Sequence, residues 1–261
     1  MAATPGTPRP TRFGVGGVVL AGHLVEPPSI DPTLPGLVLC HGFPPAAQRA
    51  EVAALTFPDL AQRIANEVGW VILSFAFRGA GESTGDFSLG GWAADLDGAI
   101  HHLLAQPRVH GVWLAGFGTG GALSVCVGAR RTEVRGVATL AAPADFDDWA
   151  SHPRRLLQHA REVGLIRTPG YPASMDAWSR ELRAHRPILA VRDLAPRPLM
   201  AIHGSEDEAV PSFDARVLSD SHGSAELRII AGAGHRLRHD PRAMAMLLGW
   251  LDRQKHAVTG T

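Results

Sequence analysis

Residues 112–125 read Val-Trp-Leu-Ala-Gly-Phe-Gly-Thr-Gly-Gly-Ala-Leu-Ser-Val. The apolar run Val112–Ala115 leads into Gly116-Phe117-Gly118-Thr119-Gly120-Gly121, and small and apolar residues follow. This order predicts a buried strand over 111–117, a sharp glycine turn, and a helix over 119–130. In the G-x-S-x-G pattern the middle residue of such a turn is a serine; here it is Gly118.

Outward from the turn, short apolar runs alternate with helical spacing. GLVLC (36–40), WVILSFAF (70–77), RGVATLAAP (135–143), RPLMAIHG (197–204) and ELRIIAG (226–232) are too short for helices and read as buried strands. Glu51–Val68 and Trp92–Leu104 repeat apolar residues every three or four positions, which predicts helices. Pro241–Arg253 predicts a closing helix with proline in its first turn. Thr11–Val25, broken by Gly14, Gly16 and Gly17, predicts a β-hairpin. The alternation predicts an α/β fold, with a mostly parallel central sheet and helices on both faces.

Residues 1–10 read as a flexible tail and 11–261 as a single domain, without internal repeats. Residues 144–190 interrupt the alternation with two proline-bounded helical stretches and no apolar strand, and read as an inserted lid. Trp149 and Trp178 in it are candidate substrate-binding residues, with packing of the lid on the body as the competing role.

Composition narrows the class. Hydrophobic residues make up 45% and charged residues 19%, which fits a globular chain rather than a disordered one. Net charge is zero, so nothing points to a nucleic-acid partner. Lys255 is the only lysine, an arginine bias read as codon usage rather than phosphate recognition. The two cysteines, Cys40 and Cys126, lie in apolar stretches without a C-x-x-C, and read as buried free thiols. Met1–Arg12 has no long apolar core, so neither a signal peptide nor a membrane span is expected, and a cytoplasmic location fits best.

Four motifs fall at the carboxyl ends of predicted strands: His41-Gly42-Phe43-Pro44, the 116–121 turn, His203 to Pro211 around Asp207, and Gly232-Ala233-Gly234-His235. In open parallel sheets the loops at that edge form the site.

With these motifs in this order, the chain resembles the α/β-hydrolase superfamily from about Gly36 to Leu251. The stretch Phe77-Arg78-Gly79-Ala80-Gly81-Glu82-Ser83 is similar to a loop common in that family. The resemblance implies a hydrolase of ester or amide bonds with a nucleophile, an acid and a histidine base. Carried over by position, Asp207 is the acid, His235 the base, and the N–H groups of Phe43 and Thr119 the oxyanion donors. Gly118 stands in the nucleophile's place, and glycine cannot form an acyl-enzyme.

Each residue has a plainer role to set against this. Asp207 could be a turn residue between Glu206 and Glu208, and His235 a hydrogen-bonded loop histidine. His235 and His239 are four apart, but no third ligand is apparent and no metal is expected. His41 reads as a brace for its loop. Ser83 reads as a brace or cap, and Ser124 lies too far into its helix to replace the nucleophile. The expected partner is a small-molecule substrate or ligand, with no cofactor; nothing in the sequence speaks to oligomeric state. Three functional readings stay open: a protein that keeps the pocket but has lost covalent catalysis and binds a small ligand, an enzyme in which His235 acts without a covalent step, and an ordinary hydrolase whose serine is substituted in this chain.

Overall fold

The computed structural model describes residues 6–259. Eight strands form one sheet: β1 (Arg9–Val15), β2 (Val18–Val25), β3 (Leu34–Cys40), β4 (Val71–Phe75), β5 (Val109–Phe117), β6 (Val134–Leu140), β7 (Leu199–Gly204) and β8 (Glu226–Ile230). Their spatial order is β1-β2-β4-β3-β5-β6-β7-β8. β1 pairs antiparallel with β2 and β2 antiparallel with β4, while β4 through β8 run parallel. This is an α/β-hydrolase fold.

The continuous apolar runs have a simple cause. Successive side chains of a strand face opposite sides, and here both sides are covered. Leu37 and Leu39 of β3 join Trp113 and Ala115 of β5 in a core packed by α1 (Phe57–Val68) and α9 (Pro241–Thr259). Val38 and Cys40, with Val112 and Leu114, face the opposite core. That core is packed by α2 (Leu89–Leu104), α3 (Thr119–Arg130) and the helices that follow β6.

Several boundaries depart from the sequence reading. The tail is shorter than expected: β1 begins at Arg9, and the Gly6 N–H donates to Glu26 O at 2.7 Å, while residues 1–5 lie outside the described residues. The helix expected from Glu51 begins at Phe57, because Pro58 fits only the first turn; a short 3-10 turn, Ala50–Val52, precedes it. Ser88 caps α2 by accepting from Gly91 N–H at 2.9 Å, which starts that helix at Leu89 rather than Trp92.

The 144–190 segment holds four helices rather than two: α4 (Asp147–Ser151), α5 (Pro153–Glu162), α6 (Met175–Ala184) and α7 (Pro187–Leu194). α7 runs past 190, and its Val191 and Leu194 are buried in the sheet's core. One helix, α8 (Ser212–His222), has no counterpart in the sequence pattern. Its buried residues are Ala215, Leu218, Ser219 and His222. The spacing is helical, but half of these residues are polar, so no apolar stripe shows in the sequence.

Candidate active site

Gly118 sits between β5 and α3 with φ 51° and ψ −124°. A positive φ is costly for residues with a Cβ, and strand-to-helix turns of this kind hold one residue out toward the site. The close approach around it requires glycine at its neighbours. A Cβ on Gly120 would meet the carbonyl oxygens of His41 and Cys40, and one on Gly116 would meet Gly120 itself. At Gly118 the surroundings are different. A Cβ built there would lie 3.5 Å from His235 Nε2 and 3.8 Å from the Gly42 Cα, at ordinary contact distance. The position accepts a side chain in space; only its backbone angles resist one.

His235 is presented by the loop after β8. Its Nδ1 lies 2.9 Å from Asp207 Oδ2, and its side chain is 38% exposed. Asp207 has a fully buried side chain in the loop after β7. Oδ1 accepts from the N–H groups of Ala209 and Val210, both at 2.9 Å. Burial pushes this carboxyl up, but the His203 and His235 contacts and the Val210 N–H outweigh it and hold it well below the ordinary carboxylate range. Asp207 is therefore an ionised acceptor, and the Nδ1 facing it carries the proton. That leaves His235 Nε2, the nitrogen nearest Gly118, with a free lone pair.

His203, the last residue but one of β7, was quoted in the sequence motif but given no role. Its Nε2 lies 3.2 Å from Asp207 Oδ2 and 3.0 Å from Val210 O. Both are acceptors, so Nε2 is the protonated nitrogen, and the second histidine helps to fix the carboxylate. Asp207 is only four residues on, but a histidine inside an apolar strand run reads as a core residue until the turn after β7 brings the carboxylate back to it.

His41 is a brace, as expected. Its Nδ1 donates to Gly42 O at 2.8 Å and its Nε2 accepts from Phe77 N–H at 3.0 Å. Burial lowers its pKa to about 4, against a smaller opposing pull from the Gly42 carbonyl. The serines are also committed. Ser83 Oγ donates to Ala76 O at 2.6 Å and accepts from Ala21 N–H; Ser124 Oγ donates to Gly120 O at 2.7 Å. Cys40 and Cys126 are buried free thiols, and burial pushes both up to about 12.

A cavity of about 250 Å³ opens beside Gly118 and His235, with Phe43, Phe57 and Phe117 among its walls. Phe43 follows Gly42, and among the described residues neither the Phe43 nor the Thr119 N–H donates to another protein group. Trp149 and Trp178, the two tryptophans of the 144–190 segment, are not among the residues lining this cavity. Trp149 stacks edge-on behind Phe43, with ring centroids 5.1 Å apart. Trp178 is buried, and its Nε1 donates to Phe87 O at 3.3 Å. Arg236 and Arg238 do line the cavity, and no motif in the sequence marks them apart from the neighbouring surface arginines.

The model of the Alpha/beta hydrolase family matches residues 37–247, and the chain belongs to that family. Solved structures agree on the fold. Est1E from Butyrivibrio proteoclasticus aligns with a TM-score of 0.71 at 19% identity, covering 97% of this chain and 99% of its own. The alpha/beta hydrolase GrgF from a Penicillium species gives 0.72 at 20% identity, covering 96% and 99%. An esterase from Pyrococcus furiosus gives 0.67 at 15% identity, covering 95% and 91%. No curated protein sequence matches the chain. No helix among the described residues is long and apolar enough to cross a membrane.

Proposed function

We propose that this protein is a slow hydrolase of small esters or amides that works by general-base catalysis without a covalent intermediate. The observation that carries the reading is the free Nε2 of His235, 3.5 Å from where a side chain of residue 118 would begin, on an imidazole anchored to a buried carboxylate. In the proposed step, a water taken up above Gly118 attacks the carbonyl carbon while Nε2 removes its proton. The N–H groups of Phe43 and Thr119 stabilise the oxyanion, and the imidazolium, held by Asp207, returns the proton to the departing alkoxide or amine. Water is consumed and one acid and one alcohol or amine are released, with nothing bonded to the protein. The similarity to esterase structures supports ester or amide substrates, and 144–190 is proposed to act as a lid that restricts access from outside.

The rate should be modest. Removing a serine nucleophile leaves roughly a thousandfold acceleration over water, from binding and the oxyanion site. The test is steady-state hydrolysis of 4-nitrophenyl acetate by the parent and by His235→Ala. The parent is expected to exceed the buffer rate in a saturable way, and the variant to lose on the order of a hundredfold of that excess. Equal rates for the two folded proteins would contradict the base assignment.

A further inference from the structure

The cavity beside Gly118 has an uneven lining. Its cationic side chains are Arg236 and Arg238, beside the imidazoles of His235 and His239, and neither an aspartate nor a glutamate lines it. Arg238 is half-buried, with its guanidinium carbon 5.1 Å above the centre of the Phe57 ring. Its Nε and Nη2 point to His239 Nε2, at 3.3 and 3.1 Å. Among the described residues, neither Arg238 nor Arg236 has a carboxylate within ion-pair distance, although the chain has as many acidic as basic residues. Their neighbour Arg242, by contrast, is paired with Asp240 at 2.7 Å. Burial, followed by the nearby charge of Arg236, pulls the Arg238 pKa down, as expected of a cation without a counter-charge.

A partly desolvated cation without a counter-charge is unfavourable unless something compensates it. The Phe57 face supplies part of that compensation and fixes the plane of the fork. Arg238 and Phe57 both line the cavity. We infer that the ligand handled beside Gly118 carries a carboxylate, which Arg238 clamps with Arg236 at the rim while the ligand's remaining end reaches His235. This rests on the cavity being the ligand site proposed above, but not on the base chemistry. The volume, about 250 Å³, lies below the roughly 300–1,000 Å³ of pockets for drug-sized molecules, so the ligand is small.

Glutarate and its neutral, equally long analogue glutaramide test the inference by calorimetric titration of the full chain. Glutarate is expected to bind on the order of tenfold more tightly than glutaramide, with the preference shrinking as salt is raised. Arg238→Gln should remove that preference, and Arg238→Lys should retain only part of it, because a point charge replaces the fork. Binding is read without turnover, so a glutarate preference in a parent that hydrolyses no ester would still stand, and a failure of the hydrolysis reading would not be mistaken for a failure here. Should Arg238→Gln not fold, Arg236→Gln and the salt dependence of the parent still decide the matter. Equal affinity for glutaramide, no binding of glutarate at millimolar concentration, or full glutarate preference in a folded Arg238→Gln protein would overturn the proposal.

Discussion

The loops after β3 and β8 each bring a histidine to the same edge of the sheet, and the two are put to different use. His41 is buried and spends both nitrogens on backbone groups, one on Gly42 O and one on Phe77 N–H. His235 is partly exposed, spends one nitrogen on Asp207, and leaves the other toward Gly118. The residue type is the same and the position along the strand end is similar. What separates a brace from a candidate base is where the second nitrogen goes and whether water can reach it.

The contrast can be broken most forcefully at the position that both loops border. Gly118→Ser places a hydroxyl next to His235 and next to the His41 loop. If His235 is the base, the variant should hydrolyse 4-nitrophenyl acetate faster than the parent by on the order of a thousandfold or more. The same substitution should cost about 1–3 kcal/mol of stability, because φ at 118 is positive. A thermal melt would show it as a loss of roughly 2–4 °C per kcal/mol.

A pH titration of stability separates the two loops next. His41 is shifted from the ordinary 6.5 to about 4, so the unfolded chain takes up a proton that the folded chain refuses. Stability from this group is complete above about pH 6.5 and is lost as pH falls toward 4, by up to about 3 kcal/mol. Asp207 is held below its ordinary 3.8, so its contribution survives that window and is lost only as pH falls below about 4. Urea melts from pH 7 to pH 3 should therefore show two successive declines. Stability that stays flat between pH 6.5 and 4.5 would contradict the burial of a neutral His41.

The smallest effect expected is that of His41→Leu. It leaves the Phe77 N–H without an acceptor, at about 1–3 kcal/mol, and makes the decline in the upper pH window shallower, where His102 and His222, also lowered by burial, still contribute. Hydrolysis by the folded variant should change only severalfold, since the free nitrogen of His235 is untouched. A hundredfold loss would move His41 into the chemistry.

The sheet and its central turn were legible because glycines and unbroken apolar runs leave few alternatives. Covering both faces is what makes β3 and β5 apolar at every position, and a glycine at 120 is demanded by the backbone of 40 and 41. The order of the motifs placed Asp207 and His235, and the fold brings their side chains into contact. What stayed hidden is which way a polar side chain faces. His203 gains meaning only through Asp207, and α8 hides its buried face behind Ser219 and His222. Trp149 and Trp178 read from sequence either as a pocket cover or as packing, since both uses take large apolar side chains. Their ring contacts with Phe43 and Phe87 are contacts that sequence spacing cannot show.

The central claim is that the imidazole anchored on Asp207 serves the spot above Gly118. Its most direct measurement is the site of attachment of a fluorophosphonate in Gly118→Ser, found by mass spectrometry of peptides. The account predicts near-stoichiometric phosphonylation of residue 118, strong suppression when His235→Ala is added, and no adduct on the parent. A folded Gly118→Ser protein that stays unlabelled, or an adduct on Ser83 or Ser124, would contradict it.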